Sequence, residues 1–95
     1  MEKTNNCAAY MQTKMEECLE IYKRKNETYG DSFGKSVEKY GLIAALTRIS
    51  DKFNRAENLI LGAENQVPDE SLADTLIDMA NYCLMTAYEI EKMKG

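Results

Sequence analysis

Apolar side chains recur at Cys7, Met11, Met15, Cys18 and Tyr22, spacings of four, four, three and four that bring them to one side of a helix. Lys14, Glu16, Glu17, Lys23 and Arg24 occupy the other faces, so a helix over about 5–26 is predicted to pack on one surface. The pattern breaks at NETYGDSFGKS, where two glycines, Asn, Asp and Ser cluster, and an interhelix turn is expected there. A second helix is predicted from Ser36, a suitable N-cap, with Glu38 in its first turn. Its stripe is Leu42, Ile43, Leu46, Ile49, Phe53, Ala56 and Ile60, close to heptad spacing, and Gly62 is its expected stop. After the short polar connection LGAENQVPDE, Asp69 or Ser71 caps a third helix running to about Met93.

That third helix is two-sided. Leu72, Leu76, Ala80 and Cys83 line one side, while Glu70, Asp74, Asp78 and Asn81 climb roughly the opposite one. Further along, Tyr82, Met85 and Tyr88 appear away from the Leu76, Cys83 and Ala87 stripe. A helix apolar on two sides needs cover on two sides. The expected fold is therefore all-α, a small bundle of three main helices in one domain over 1–95, completed by homo-oligomerisation with the third helix at or near the contact. The plainer alternative is a monomer with a few exposed apolar residues.

Composition narrows the function classes. One Pro and five Gly in 95 residues leave few obligatory breaks, as a helical chain requires. A net charge of −4, with basic residues interspersed among acids, argues against binding duplex nucleic acid. Three cysteines without CxxC spacing fit reduced core thiols better than disulfides or a zinc site, which favours the cytoplasm. No apolar run approaches the ~18 residues of a membrane span, and the first residues lack a signal-peptide core, so neither membrane nor export is expected. The absence of His excludes a His base, a His ligand and the Ser-His-Asp or Cys-His arrangements within this chain.

Carboxylates and cations remain. Glu70, Asp74 and Asp78 stack as like charges at i,i+4, and positions 71, 75, 77 and 82 on that helix hold Ser, Thr, Ile and Tyr, with no cation to relieve them. With Asp51 they are candidate ligands for a hard cation such as Mg²⁺; the alternative is a solvated acidic face. Arg48, Lys52 and Arg55 recur at i, i+4 and i+7, a row suited to gripping phosphate, or else a surface ladder with Asp51. If the loop ETYGDSFGKS closes a ligand site, Tyr29 or Phe33 stacks on a base, with Asn81 as a further nucleotide contact; the alternative is a simple interhelix turn with Tyr29 and Phe33 tucked into the core. Gly34-Lys35-Ser36 echoes only the end of a P-loop, whose GxxxxGK[ST] pattern is absent.

YGDSF, GLIAALTRISDKFNRAENLI and ESLADTLIDMANYCLMTAYEIEK together resemble the small helical proteins, found largely in phages and prophages, called nucleotide modification associated domain 1. RISDKFNR followed by DTLIDMANY is the more specific part, within roughly Tyr29 to Lys92. That group looks distantly like the MazG-type all-α nucleoside triphosphate pyrophosphohydrolases, whose helical carboxylates hold Mg²⁺ on a nucleotide's phosphates. The resemblance implies Asp51, Glu70, Asp74 and Asp78 as metal ligands and Arg48, Lys52 and Arg55 as phosphate contacts. It also implies an infected or lysogenic bacterial cell. The chain departs from the hydrolases by having only Asp51 on the second helix and E-x-x-x-D-x-x-x-D on the third, where they carry E-x-x-E facing E-x-x-D. Two-metal hydrolysis needs more carboxylates than that. The expectation is a nucleotide-binding protein that sequesters a nucleotide or cyclic-nucleotide immune signal, as small phage proteins of this class do. A Mg²⁺-dependent pyrophosphohydrolase and a helical protein-interaction module are the alternatives.

Overall fold

The computed structural model describes residues 6–62 and 70–95, apart from the side chains of residues 70 and 71. Four helices appear among them, α1 Cys7–Tyr29, α2 Ser32–Tyr40, α3 Leu42–Leu61 and α4 Glu70–Lys94, with no strand. The all-α expectation holds. The cap expected at Asp69 or Ser71 lies outside the described residues and side chains. The contacts fall into two compact units, Met1–Asp31 and Ser32–Gly95, where the apolar pattern predicts one domain.

The first unit carries α1 alone. Its helix runs on past Asn26 to Tyr29 and ends at Gly30, whose φ of 69° and ψ of −168° suit a residue without Cβ. No residue of α1 is buried. Lys14, Cys18 and Tyr22 are half-buried, and Met11 and Met15 are exposed.

The second unit corrects the predicted break. NETYGDSFGKS leaves the helix only at Gly30 and Asp31: Ser32 to Ser36 belong to α2, with Phe33 and Gly34 buried. The real interruption is Gly41, inside what the apolar stripe marks as one continuous second helix. Gly41 has φ 83° and ψ −173°, a region essentially confined to glycine. Its N–H donates to Val37 O at 2.7 Å to close α2, and its carbonyl accepts from Ala44 N at 3.0 Å to open α3. Gly62 does end α3, its N–H donating to Asn58 O. A Cβ on Gly41 meets nothing within 4 Å, so the cost of Gly41→Ala is backbone strain alone. We expect it to lower stability by about 1–3 kcal/mol, read as a lower thermal midpoint; an unchanged midpoint would contradict this joint.

α3 packs along α4, and α2 against α3. The direction of α3 against α4 follows from three cross-helix hydrogen bonds, in which Arg48 meets Tyr82, Lys52 meets Asp78 and Arg55 meets Thr75. Rising numbers on one helix meet falling numbers on the other, so the pair is antiparallel. The core sits where α2 covers the pair: Phe33, Val37 and Ala45 are buried together, with Tyr82 and Met85 packed on them. This overturns the placing of Tyr82 and Met85 on a face turned away from the intrachain core.

Past Leu72 the phase of α4 differs from the expected one. Leu72, Thr75 and Glu89 are buried and Met79, Tyr82, Met85 and Thr86 half-buried, whereas Leu76, Ala80, Cys83 and Ala87 are exposed. On α3, Ala45 and Ala56 are buried and Ile49, Lys52 and Leu59 half-buried, while Leu42, Ile43, Leu46, Phe53 and Ile60 are exposed. Small and amphipathic side chains make the seam, because helices with Ala, Thr and the stems of Lys and Arg between them can approach closely. The cysteines also depart from expectation: Cys7 and Cys83 are exposed and Cys18 half-buried, with none in the core.

Candidate functional site

Along one flank of the α3–α4 seam, Arg48, Lys52 and Arg55 form a row. Their spacing of four and three residues keeps them in line over about 10 Å of helix. At one end Arg48 Nη1 donates to Tyr82 Oη at 3.3 Å, and its guanidinium carbon stands 5.9 Å from the Tyr82 ring centroid. A cation over a ring face is worth about 0.5–1 kcal/mol at an exposed site. The Tyr82 ring is itself held by Phe33, with centroids 5.8 Å apart, so core packing fixes the group that positions Arg48.

In the middle Lys52 Nζ donates to Asp78 Oδ2 at 3.3 Å, with the Lys and Asp side chains 30% and 55% exposed. At the far end Arg55 Nε donates to Thr75 Oγ1 at 3.1 Å, and Thr75 is only 3% exposed. The relief that the acidic ladder lacks on its own helix therefore comes, at Asp78, from α3. Beyond Tyr82 the α4 stripe reaches Glu89, 4% exposed, which takes a bond from Lys92 Nζ at 3.2 Å. That bond, ahead of other influences, holds the Lys92 pKa above its ordinary value, with Glu38 of α2 adding to it.

The predicted site residues divide accordingly. Arg48, Lys52, Arg55 and Asp78 are brought together across the seam. Asp74 is exposed one turn before Asp78, Asn81 is half-buried beside Tyr82, and Asp51 is exposed on α3. The Glu70 side chain lies outside the described ones. Tyr29 is 70% exposed at the end of α1, in the other unit. Among the described residues no three His, Cys, Asp or Glu side chains gather closely enough to hold a metal ion. Thr75 is the member that the apolar pattern misses, and Tyr82 is the one it assigns to a subunit contact. The signal for them is the 75, 78, 82 spacing, which puts both on the Asp78 stripe.

Electrostatically the seam is a line of donors. The guanidinium of Arg48 presents five N–H groups, of which Tyr82 takes one, and Arg48 and Arg55 are both exposed. At Arg48 and Arg55, phosphate oxygens entering there would exchange neutral hydroxyl acceptors for charged ones, and bonds with an ionised partner are the stronger kind. Among the described residues no helix is long and apolar enough to cross a membrane.

A family model described as nucleotide modification associated domain 1 matches residues 25–90, which include all of α2 and α3 and most of α4. No curated protein and no solved structure gives a match.

Proposed function

We propose, from the premise that this chain belongs to the nucleotide modification associated domain 1 family, that it binds the phosphate groups of a nucleotide or nucleotide-derived signal along Arg48, Lys52 and Arg55. The observation that carries this reading is the alignment of all three cations on one flank of the α3–α4 seam, with side chains anchored from α4. Arg48 and Arg55 supply planar forks, Lys52 a point charge, and Asn81 an amide for a base edge or sugar hydroxyl. Binding without turnover fits this chain because a binder needs no multi-carboxylate metal cluster. Sequestration of a nucleotide or cyclic-nucleotide immune signal in an infected bacterial cell, the role implied by the phage resemblance, is the biological form of the proposal.

Mass spectrometry of small molecules released from the purified, denatured protein tests this directly. A nucleotide released in stoichiometric amount is expected from the wild type. Wild-type preparations that release none, and also bind none on titration, would refute it.

A second reading, a Mg²⁺-dependent pyrophosphohydrolase, is supported by Asp74 and Asp78 lying on the same flank as the cations. These two alone do not make a metal site. The readings separate on Asp78→Asn. For a binder, releasing Lys52 from its carboxylate leaves phosphate affinity equal or higher, with stability changed by less than ~1 kcal/mol. For a hydrolase, pyrophosphate release is lost in Asp74→Asn and Asp78→Asn proteins whose circular dichroism is unchanged.

A further inference from the structure

The α3–α4 pair has two flanks of opposite chemistry. Taking about 100° per residue and the line through Ala45, Ile49 and Ala56 as inward, Arg48 and Arg55 lie about 80–100° to one side, and Leu46, Phe53 and Ile60 about 40–80° to the other. On α4, with Thr75, Tyr82 and Glu89 inward, Asp74, Asp78 and Asn81 lie to one side, and Leu76, Cys83 and Ala87 to the other. In an antiparallel pair of right-handed helices, flanks displaced in the same rotational sense fall on the same side of the pair. The Lys52–Asp78 bond agrees with that assignment. The polar seam is thus on one side, and Leu46, Phe53, Ile60, Leu76, Cys83 and Ala87 share the other; all six are exposed.

We infer that this apolar flank docks a second copy of the same chain, the two α3–α4 layers forming a four-helix bundle about a two-fold axis. Its extent matches what a dimer needs. About 27 Å of helix, two helices wide at roughly 20 Å, gives on the order of 500 Å² per copy and about 1,000 Å² in all, the threshold for a specific interface. Its chemistry is self-complementary. Positions 42, 46, 50, 53, 57 and 60 of α3 and 76, 79, 83, 87 and 90 of α4 include a single charge, Glu57. Glu57 lies near one end of the face, so a two-fold through its middle keeps the two copies of that carboxylate apart. The intrachain core also leaves work undone: the buried apolar residues described are Phe33, Val37, Ala45, Ala56 and Leu72, two of them alanines. So small a core supplies little stability to a chain of this size.

This arrangement places both cation rows on the outer surfaces of the bundle. Each copy keeps its own row and takes no residue from its partner, so dimerisation stands or falls independently of nucleotide binding.

Light scattering of the full-length protein at 10–100 μM tests the inference. A mass near twice the 10.8 kDa chain is expected for the wild type, and near one chain for Phe53→Glu with Leu76→Glu, both with unchanged helical ellipticity. Should that variant lose its fold, Cys83 provides a second readout. With Cys7→Ser and Cys18→Ser, a bismaleimide cross-linker, which adds one thiol at each end, is expected to join the two Cys83 side chains into a covalent dimer. A monomeric wild type would overturn the inference. So would a dimer that survives Phe53→Glu with Leu76→Glu, or one dissociated only by Met11→Glu with Met15→Glu on α1.

Discussion

Arg48→Glu combined with Arg55→Glu is expected to weaken nucleoside triphosphate binding by at least 100-fold, with helical content unchanged. Hydrogen bonds to charged groups contribute about 1.5–3 kcal/mol each. Losing one at each end of the row removes roughly 3–6 kcal/mol, or about two to four powers of ten in affinity. The acids repel phosphate in addition. Both arginines are exposed, and the contacts the folded state loses include that of Arg48 with Tyr82 and the Arg55 bond to Thr75. Arg48→Lys with Arg55→Lys retains the charge but not the fork, and an intermediate loss is expected. If the Glu variant binds as the wild type does, the row is a structural ladder and the proposal fails.

Val37→Asp is expected to abolish cooperative folding of the Ser32–Gly95 unit. Val37 is 1% exposed, the largest side chain so thoroughly enclosed among the described residues, clustered with Phe33 and Ala45 and with Tyr82 and Met85 packed on them. A carboxylate there loses its hydration among apolar neighbours, at a cost of several kcal/mol. A domain of this size has only about 3–10 kcal/mol to lose. Val37→Ala, which removes buried methyl groups only, should cost about 2 kcal/mol and leave a folded protein. Chemical denaturation followed by far-ultraviolet circular dichroism reads both. A Val37→Asp protein with the wild-type midpoint would mean that α2 does not pack on the α3–α4 pair.

How far the residues alone disclose this structure depends on what a periodic apolar pattern measures. It marks the surface that avoids water, whichever molecule covers it. On α4 the pattern Leu72, Leu76, Ala80, Cys83 therefore points to a flank from which only Leu72 is buried inside the chain. The intrachain seam is written in Thr75, Glu89, Ala45 and Lys52, residue types that read as polar or neutral, together with Ala56 and Tyr82. The α2–α3 joint was hidden for a different reason. Leu42 follows Gly41 directly and continues the apolar spacing, so the break shows only in the backbone angles that glycine allows. By contrast, the cation row was legible from spacing alone, because side chains at i, i+4 and i+7 stay in line however the helix is rotated. Which acid meets it was not, since that requires the pairing of two helices: Asp78 faces Lys52, and Asp74 stays exposed.

Titration calorimetry of the wild-type protein against ATP, GTP, 3′,5′-cyclic nucleotides, cyclic dinucleotides and pyrophosphate, with and without Mg²⁺, tests the central claim most directly. The cation row predicts saturable binding of at least one phosphate-bearing nucleotide at one site per chain, weakening as salt rises because the contacts are charge pairs. Absence of binding by every one of these ligands at high micromolar concentration would contradict it.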